Sequence, residues 1–456
     1  MALVDLTCIN AARKLKERLL RLQIATAVTM IIARRRLLFR TGALLVAGLI
    51  RPCPLWAAGD GSSACEPFFV GSYELVSDPS LNFQLNRWIA YGGLAVLQDI
   101  QRMLPQLVSL DAWRTEFSAA SDRAMSAGHI REAAILARSA EFFMVSSDPR
   151  KRLLRERFVT LMRRAYGVAE PERVRFAGGH LPYYRFTPWT PRDTVILFGG
   201  FDSYIEEFLP ILLALRDRDF DVIAFEGPGQ GGALEDSGLP MTPDWEQPLS
   251  AIIDRLSLSN AILVGLSLGG CLAIRAASRE PRVSRVVAWD ALADFQEIFL
   301  SQIPAAGQWV ARLLLGTDAD PIINALASRG SHSPIQEWGI AQAMHVFGVD
   351  SPAAALRATA SYRTADVSPL VRQDVLLLAG AEDHYVPRHQ IYDQARWLTN
   401  ASSVTTRMFT RTENGQAHCQ VGNLPLAIAT ITAWLDRRDM PIAPGPLPGS
   451  LPPCPN

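Results

Sequence analysis

The sequence predicts an α/β fold: a mostly parallel sheet with helices on both faces, preceded by a helical cap and interrupted by a helical lid. Three observations lead there. Apolar runs of strand length at 194–198, 221–225, 261–264, 285–289, 373–380 and 404–410 are separated by stretches long enough for crossover helices, the order that builds a parallel sheet. One run, 261–264, passes through Gly265-Leu266-Ser267-Leu268-Gly269 directly into Gly270-Cys271-Leu272-Ala273-Ile274, so a strand, a cramped turn and a helix meet at one serine. From Asp290 to Asp374 the strand pattern lapses and helical stretches such as 322–327 and 352–362 take over.

Taken in order, residues 1–60 form an extension. Within it Arg34-Arg35-Arg36-Leu37-Leu38-Phe39-Arg40, an apolar run at 41–50 and the small residues up to Gly59 have the charged, apolar, small-residue order of an export signal, with paired arginines of twin-arginine type near residues 30–58. That apolar run is shorter than the about 20 residues a membrane-spanning helix needs, so no stable membrane span is expected. An ordinary basic amphipathic helix or a loose arm is the competing reading, and a start at Met30 would account for residues 1–29. Residues 66–168 follow as a helical cap, with small and apolar residues at helical spacing, among them Ala119, Ala120, Ala124, Ala127, Ala133 and Ala134. Trp113, Phe142 and Phe143 in this region read as core before they read as cavity lining. Residues 169–440 hold a hairpin near 173–187, the sheet and a lid insertion at about 291–372; the Pro/Gly-rich segment 441–456 reads as a tail without catalytic duty.

The chemistry converges on Ser267. A strand-to-helix turn of this kind is a nucleophile elbow, and small residues around it let the chain bend without a side-chain clash. A serine hydroxyl is a weak nucleophile at neutral pH and needs an imidazole to take its proton and a carboxylate to orient that imidazole. Candidates follow in the order acid, then histidine. Asp383 lies just past the run 373–380, where an open α/β sheet gathers its catalytic groups, and His418 lies in the loop after 404–410. Asp290, at the end of 285–289, is a rival acid by the same logic. His384 and His389, beside Asp383, read as solvated surface residues, and Cys419 as a small packing residue. Gly199-Gly200-Phe201, after the run 194–198, would set the Phe201 N–H opposite that of Leu268, two donors for an oxyanion. Asp202 reads as the amino-terminal cap of a helix starting near Tyr204. Phe225-Glu226-Gly227-Pro228-Gly229-Gln230-Gly231 reads as a structural turn, since no Lys-Ser/Thr follows and its proline removes an N–H donor.

The ordered set FGGFDSYIEEF (198–208), FEGPGQGG (225–232), GLSLGG (265–270), AGAEDHYVP (379–387) and AHCQVGN (417–423) resembles one group of α/β-hydrolases. It comprises the 2,6-dihydropseudooxynicotine hydrolases and the fungal pigment enzymes that shorten a polyketide by cleaving a carbon–carbon bond, with FrsA-like esterases related to them. Asn82-Phe83-Gln84-Leu85-Asn86-Arg87 and AAILARSAEFFM (133–144) are similar to that group's helical cap. The resemblance implies a Ser267-Asp383-His418 triad, an oxyanion hole of Phe201 and Leu268, an acidic group at Asp202, and a small-molecule substrate held between cap and sheet. Cap-mediated homodimers, common in the group, are a further expectation. The bond cleaved is expected to be the carbon–carbon bond of a ketone or β-diketone; a carboxylic ester or amide is the alternative, and a non-catalytic binding module that retains the fold is a third reading.

Composition closes off other classes. Forty-five basic and forty-five acidic residues balance, which argues against nucleic acid as a main partner. Seven histidines are scattered and no Cys-x-x-Cys occurs, so no metal site is expected, and a serine mechanism calls for no cofactor. Of six cysteines, Cys65 and Cys454 alone are read as free to pair.

Overall fold

The computed structural model describes residues 68–303, 305–329 and 333–437. The extension with its export-like pattern, the tail, and the proposed partners Cys65 and Cys454 all lie outside the described residues. Four helices open the described chain: α1 (Pro79–Met103), α2 (Leu110–Ser126), α3 (Ile130–Phe142) and α4 (Pro149–Tyr166). α1 and α4 start the same way, on an Asp-Pro pair: Asp78 accepts the Leu81 N–H and Asp148 the Arg150 N–H, while Pro79 and Pro149 occupy a position whose own N–H would have no partner. Ser333-Pro334 and Ser351-Pro352 repeat the device in the lid.

The sheet has eight strands: β1 (Glu172–Phe176), β2 (Gly179–Phe186), β3 (Asp193–Phe198), β4 (Phe220–Phe225), β5 (Ala261–Leu266), β6 (Val283–Trp289), β7 (Asp374–Gly380) and β8 (Ser403–Phe409). Their order is β1-β2-β4-β3-β5-β6-β7-β8, with β1 antiparallel to β2, β2 antiparallel to β4, and every other pair parallel. β4 and β5 are buried along their whole length, because a parallel sheet is covered on both faces. Alternation decides which side chain meets which layer. Val195, Leu197, Ile262 and Val264 face one core, with α5 (Leu209–Arg216), and this core also takes in Trp88, Ala134, Phe142 and Phe158 of the cap helices. Ile196, Phe198, Leu263 and Val286 face the other, with the short α6 (Gly231–Glu235), α7 (Glu246–Arg255) and α8 (Leu268–Ala277).

The lapse of strand pattern after β6 is a run of five helices, α9 (Phe295–Ser301), α10 (Ala305–Leu315), α11 (Asp320–Arg329), α12 (Pro334–Phe347) and α13 (Pro352–Thr359). The chain then returns to β7 and, after α14 (His389–Trp397) and β8, α15 (Leu424–Asp436) packs its Leu424, Ala427, Ile428 and Ile431 into the cap-side core. Among the described residues no helix is long and apolar enough to cross a membrane.

Candidate active site

The parallel strands end together, and the candidate residues sit on the turns just beyond them. Ser267 follows β5 with φ 59° and ψ −125°, a conformation that L-residues rarely adopt and that fits a strained strand-to-helix turn. Two glycines make room for it. A Cβ at Gly265 would lie 1.9 Å from the Gly269 carbonyl oxygen, and one at Gly270 would lie 2.0 Å from that of Asp290. The Ser267 N–H is anchored to the Trp289 carbonyl at 2.7 Å, tying the turn to the end of β6.

His418 meets the serine from the loop after β8: its Nε2 is 2.8 Å from Ser267 Oγ. On the other side of the ring, Nδ1 is 2.6 Å from Asp383 Oδ2 and 2.9 Å from Asp290 Oδ2. Asp383, the expected acid, and Asp290, its rival, thus both reach the ring. Asp383 Oδ1 accepts the N–H groups of Tyr385 and Val386 at 2.7 and 3.0 Å. Asp290 accepts the Cys419 N–H at 2.6 Å and the Gln420 Nε2 at 3.1 Å. Both carboxylates are almost sealed from water, with side chains 3% and 1% exposed.

Their titration diverges accordingly. Burial pushes the Asp383 carboxyl up, and the neighbouring Asp290 adds to this against the pull of His418. Burial acts on Asp290 in the same sense but is outweighed by His418 and by the Cys419 and Gln420 donors, which hold it below the usual range. His418 is raised well above an ordinary imidazole: burial opposes its charge, and Asp383, Cys419 and Asp290 overcome that. Side-chain ligand atoms of Asp290, His418 and Cys419 also lie within 4.8 Å of one another; since Asp290 and His418 are already engaged with each other, this grouping is part of the same cluster.

The loop after β3 crosses in front of the elbow. A Cβ at Gly200 would lie 2.9 Å from the Leu268 nitrogen and 3.0 Å from Ser267 Cβ, so the backbone leading into Phe201 runs alongside the serine. Leu268 is the first residue of α8, where an N–H has no acceptor within the helix. The loop is held by the turn after β4: Gln230 Nε2 donates to the carbonyls of Gly199 and Gly200 at 2.6 and 3.1 Å, and Gln230 Oε1 accepts the Gly227 N–H at 3.1 Å. The segment 225–232 is a turn, and its side chains fasten the neighbouring loop.

Asp202 does not cap the helix behind it. The 3₁₀ turn Ile205–Phe208 opens on Tyr204 without a side-chain cap, because Glu226 Oε1 takes the Ile205 N–H at 3.0 Å. Asp202 instead faces Arg87 of α1 at 3.5 Å, while its carbonyl accepts from Arg138 of α3. His384 is also not a solvated residue. α1 lays Phe83 over the loop, with ring centroids 5.2 Å from His384 and 5.9 Å from His418, and the His384 ring lies against Tyr385 at 3.7 Å, tilted by 41°. Burial, with the nearby His418 charge, lowers the His384 pKa to about 3. His389 is half exposed and pairs with Glu297.

A pocket beside the Phe201-Asp202 loop is lined by Phe142, Arg138 and Lys151 of the cap and Trp338 and Gln342 of the lid. Phe142 thus reaches a cavity, whereas Trp113 and Phe143 are core, packed on each other at 5.3 Å. The Phe201 ring packs against Phe295 at 5.3 Å and Phe347 at 5.8 Å, closing the lid side.

A family model described as "Alpha/beta hydrolase family" matches residues 195–418, the stretch that runs from β3 to the histidine. These residues form an α/β-hydrolase domain. Hydrolase acrC of Aspergillus aculeatus is 29% identical over 262 residues, 54% of this chain and 60% of the relative. The 20-hydroxy-prefusarin hydrolase FUS2 of Gibberella moniliformis is 33% identical over 189 residues, 39% of this chain and 44% of the relative. The chain therefore spans between about two fifths and three fifths of the length of these relatives. The crystal structure of a 2,6-dihydroxy-pseudo-oxynicotine hydrolase superposes with a TM-score of 0.55 at 23% identity, covering 77% of this chain and 94% of that one. This extends the fold likeness of the α/β-hydrolase domain to the helical cap.

Proposed function

We propose that the protein is a serine hydrolase that cleaves a carbon–carbon bond of a small ketone or β-diketone through Ser267, His418 and Asp383. The observation that carries the reading is the continuous hydrogen-bonded line from Ser267 Oγ through both ring nitrogens of His418 to a buried carboxylate. Ser267 Oγ attacks the substrate carbonyl as its proton passes to His418 Nε2, and the Phe201 and Leu268 N–H groups receive the oxyanion. Collapse of the tetrahedral intermediate breaks the bond to the α-carbon. The departing electron pair stays on that carbon as an enolate, which takes the proton from His418. Water, deprotonated by His418, then attacks the acyl-serine and releases the acid, so one water is consumed and one acid and one ketone are formed.

Hydrolase activity has support in the hydrolase names of the relatives, and a site roofed by Phe83 and Phe201 suits an apolar, enolisable substrate. Ester cleavage by the same machinery is the second reading. It is favoured by the Arg87–Asp202 pair, because the carboxylate that would assist an enolate already faces the Arg87 guanidinium, and ester cleavage needs only the serine, the histidine, its acid and the oxyanion donors. Mass spectrometry of products from aryl β-diketones and matched aryl esters, with wild type and Ser267→Ala, decides between them. The expected result is Ser267-dependent formation of an acid plus a ketone; turnover of esters alone moves the assignment to an esterase, and turnover unchanged in Ser267→Ala removes both.

A further inference from the structure

One imidazole N–H faces two carboxylates. Asp383 and Asp290 come from different strand ends, β7 and β6, and approach His418 Nδ1 at 2.6 and 2.9 Å. We propose that His418 is governed by both, with Asp290 a second positioning acid that shares the Nδ1 proton with the triad acid Asp383. The proposal deepens the serine-hydrolase reading and rests on it.

Three features support a role in acid–base chemistry. Asp290 is anchored independently of Asp383, through the Cys419 N–H and the Gln420 amide, so it stays in place whichever acid holds the proton. Cys419 and Gln420 carry positive φ of 49° and 52°, and Asp290 accepts from both, so it also shapes the loop that aims His418. Finally, two carboxylates sharing a site repel, and an imidazolium formed between them relieves that repulsion. The proton leaving Ser267 is thus drawn onto a ring with negative charge on two sides.

The other titratable groups around the ring stay neutral across a working range. Burial and the His418 charge hold His384 at about 3, burial pushes the Tyr385 phenol up to about 12, and burial raises the Cys419 thiol. Phe83 from α1 carries no charge. A change in the His418 titration on altering Asp290 is therefore read without interference from those neighbours. The sign follows. A general base must be neutral, so raising its pKa moves the acid limb of the kcat/KM profile to higher pH, and deleting one of the two carboxylates moves that limb down.

The experiment compares wild type, Asp290→Asn, Asp383→Asn and the double variant by two measurements. One is the pH dependence of the inactivation rate by a serine-directed phosphonate, with Ser267→Ala as the blank. The other is the imidazole 15N titration of His418, assigned by loss of its signal in His418→Gln. In Asp290→Asn the His418 pKa and the acid limb are expected to fall together by about 1 pH unit or more, the effect of removing one close opposite charge. Asp383→Asn is expected to keep at least about 1% of the wild-type rate, because Asp290 remains to orient the ring, whereas loss of a sole triad acid costs about 10⁴-fold. The double variant is expected to show that full loss.

A purely structural role for Asp290 would lower the rate evenly at all pH values and leave the limb in place. An unmoved limb and imidazole pKa in Asp290→Asn, or a full 10⁴-fold loss in Asp383→Asn, would overturn the proposal. Should Asp290→Asn fail to fold, Asp383→Asn alone decides. Absence of labelling in folded wild type sinks the hydrolase reading instead, and the imidazole titration still reports on Asp290.

Discussion

Gln230 contacts the loop that carries the candidate oxyanion donor at the two peptides preceding it. In a trans peptide the carbonyl and the following N–H point in opposite directions, so a donor on the Gly200 carbonyl sets the direction of the Phe201 N–H. Gln230 supplies that donor from a site 3% exposed to solvent. Gln230→Ala is expected to lower kcat by about 10–100-fold with little change in KM, the pattern of a lost transition-state interaction; equal losses in both would count against this role. Gln230 was legible in the sequence only as part of a turn, whereas Ser267, Asp383 and His418 were individually readable. The difference is physical. Ser267 is written into a local strand-turn-helix pattern, and Asp383 and His418 follow strand ends at short range. The grip of Asp290 on His418, the Arg87–Asp202 pair and the roof over His384 depend on segments more than 100 residues apart in sequence coming together in space, and local pattern carries no record of that.

The turn joining β4 to the short helix α6 (Gly231–Glu235) shows how an element can be identified from sequence while its task is not. Its glycines and proline announced a turn, yet its position is set by Glu226, whose two oxygens accept the Ile205 and Gly232 N–H groups. Glu226 is buried beside Glu206, which accepts the Tyr184 hydroxyl at 2.9 Å. Burial foremost, then the Glu206 charge, push the Glu226 carboxyl up to about 8 from an ordinary 4.5. A carboxyl whose folded pKa is raised contributes stability that is complete below the unfolded pKa and is lost as pH rises through the folded one. The Glu226 contribution should therefore fade between about pH 4.5 and 8. In thermal unfolding, Glu226→Gln is expected to melt below wild type at pH 5, having lost one of two N–H acceptors, with the gap narrowing towards pH 9. A gap constant over that range would mean that Glu226 is ionised in the folded protein throughout.

At the scale of the whole molecule, cap and sheet are joined by a shared apolar core and by a buried charge network. Arg138 of α3 bonds Glu141 on its own helix, Glu207 behind the Phe201 loop and the Asp202 carbonyl, while Arg87 of α1 reaches Glu207 as well and Lys151 of α4 reaches Glu141. Arg138, Glu141 and Glu207 are at most 2% exposed. Burial acts against the Glu141 charge, but Lys151 and Arg138 outweigh it and bring its pKa down to about 2, so this part of the network is complete above about pH 4.5 and dissolves as pH falls towards 2. Removing one partner of such a cluster leaves the others buried and unpaired, at a cost of about 3–5 kcal/mol. Arg138→Ala is therefore expected to lower the free energy of unfolding by about that amount at neutral pH. Because the apolar core runs unbroken from Trp88 and Phe142 to Val195 and Val264, the loss should be felt in both layers. Native-state hydrogen exchange should show the amides of α3 and β5 protected by the same opening free energy in wild type and weakened together in Arg138→Ala. Weakening confined to α1–α4 would show instead that the cap opens alone, and the charge network would then act as a latch on substrate entry.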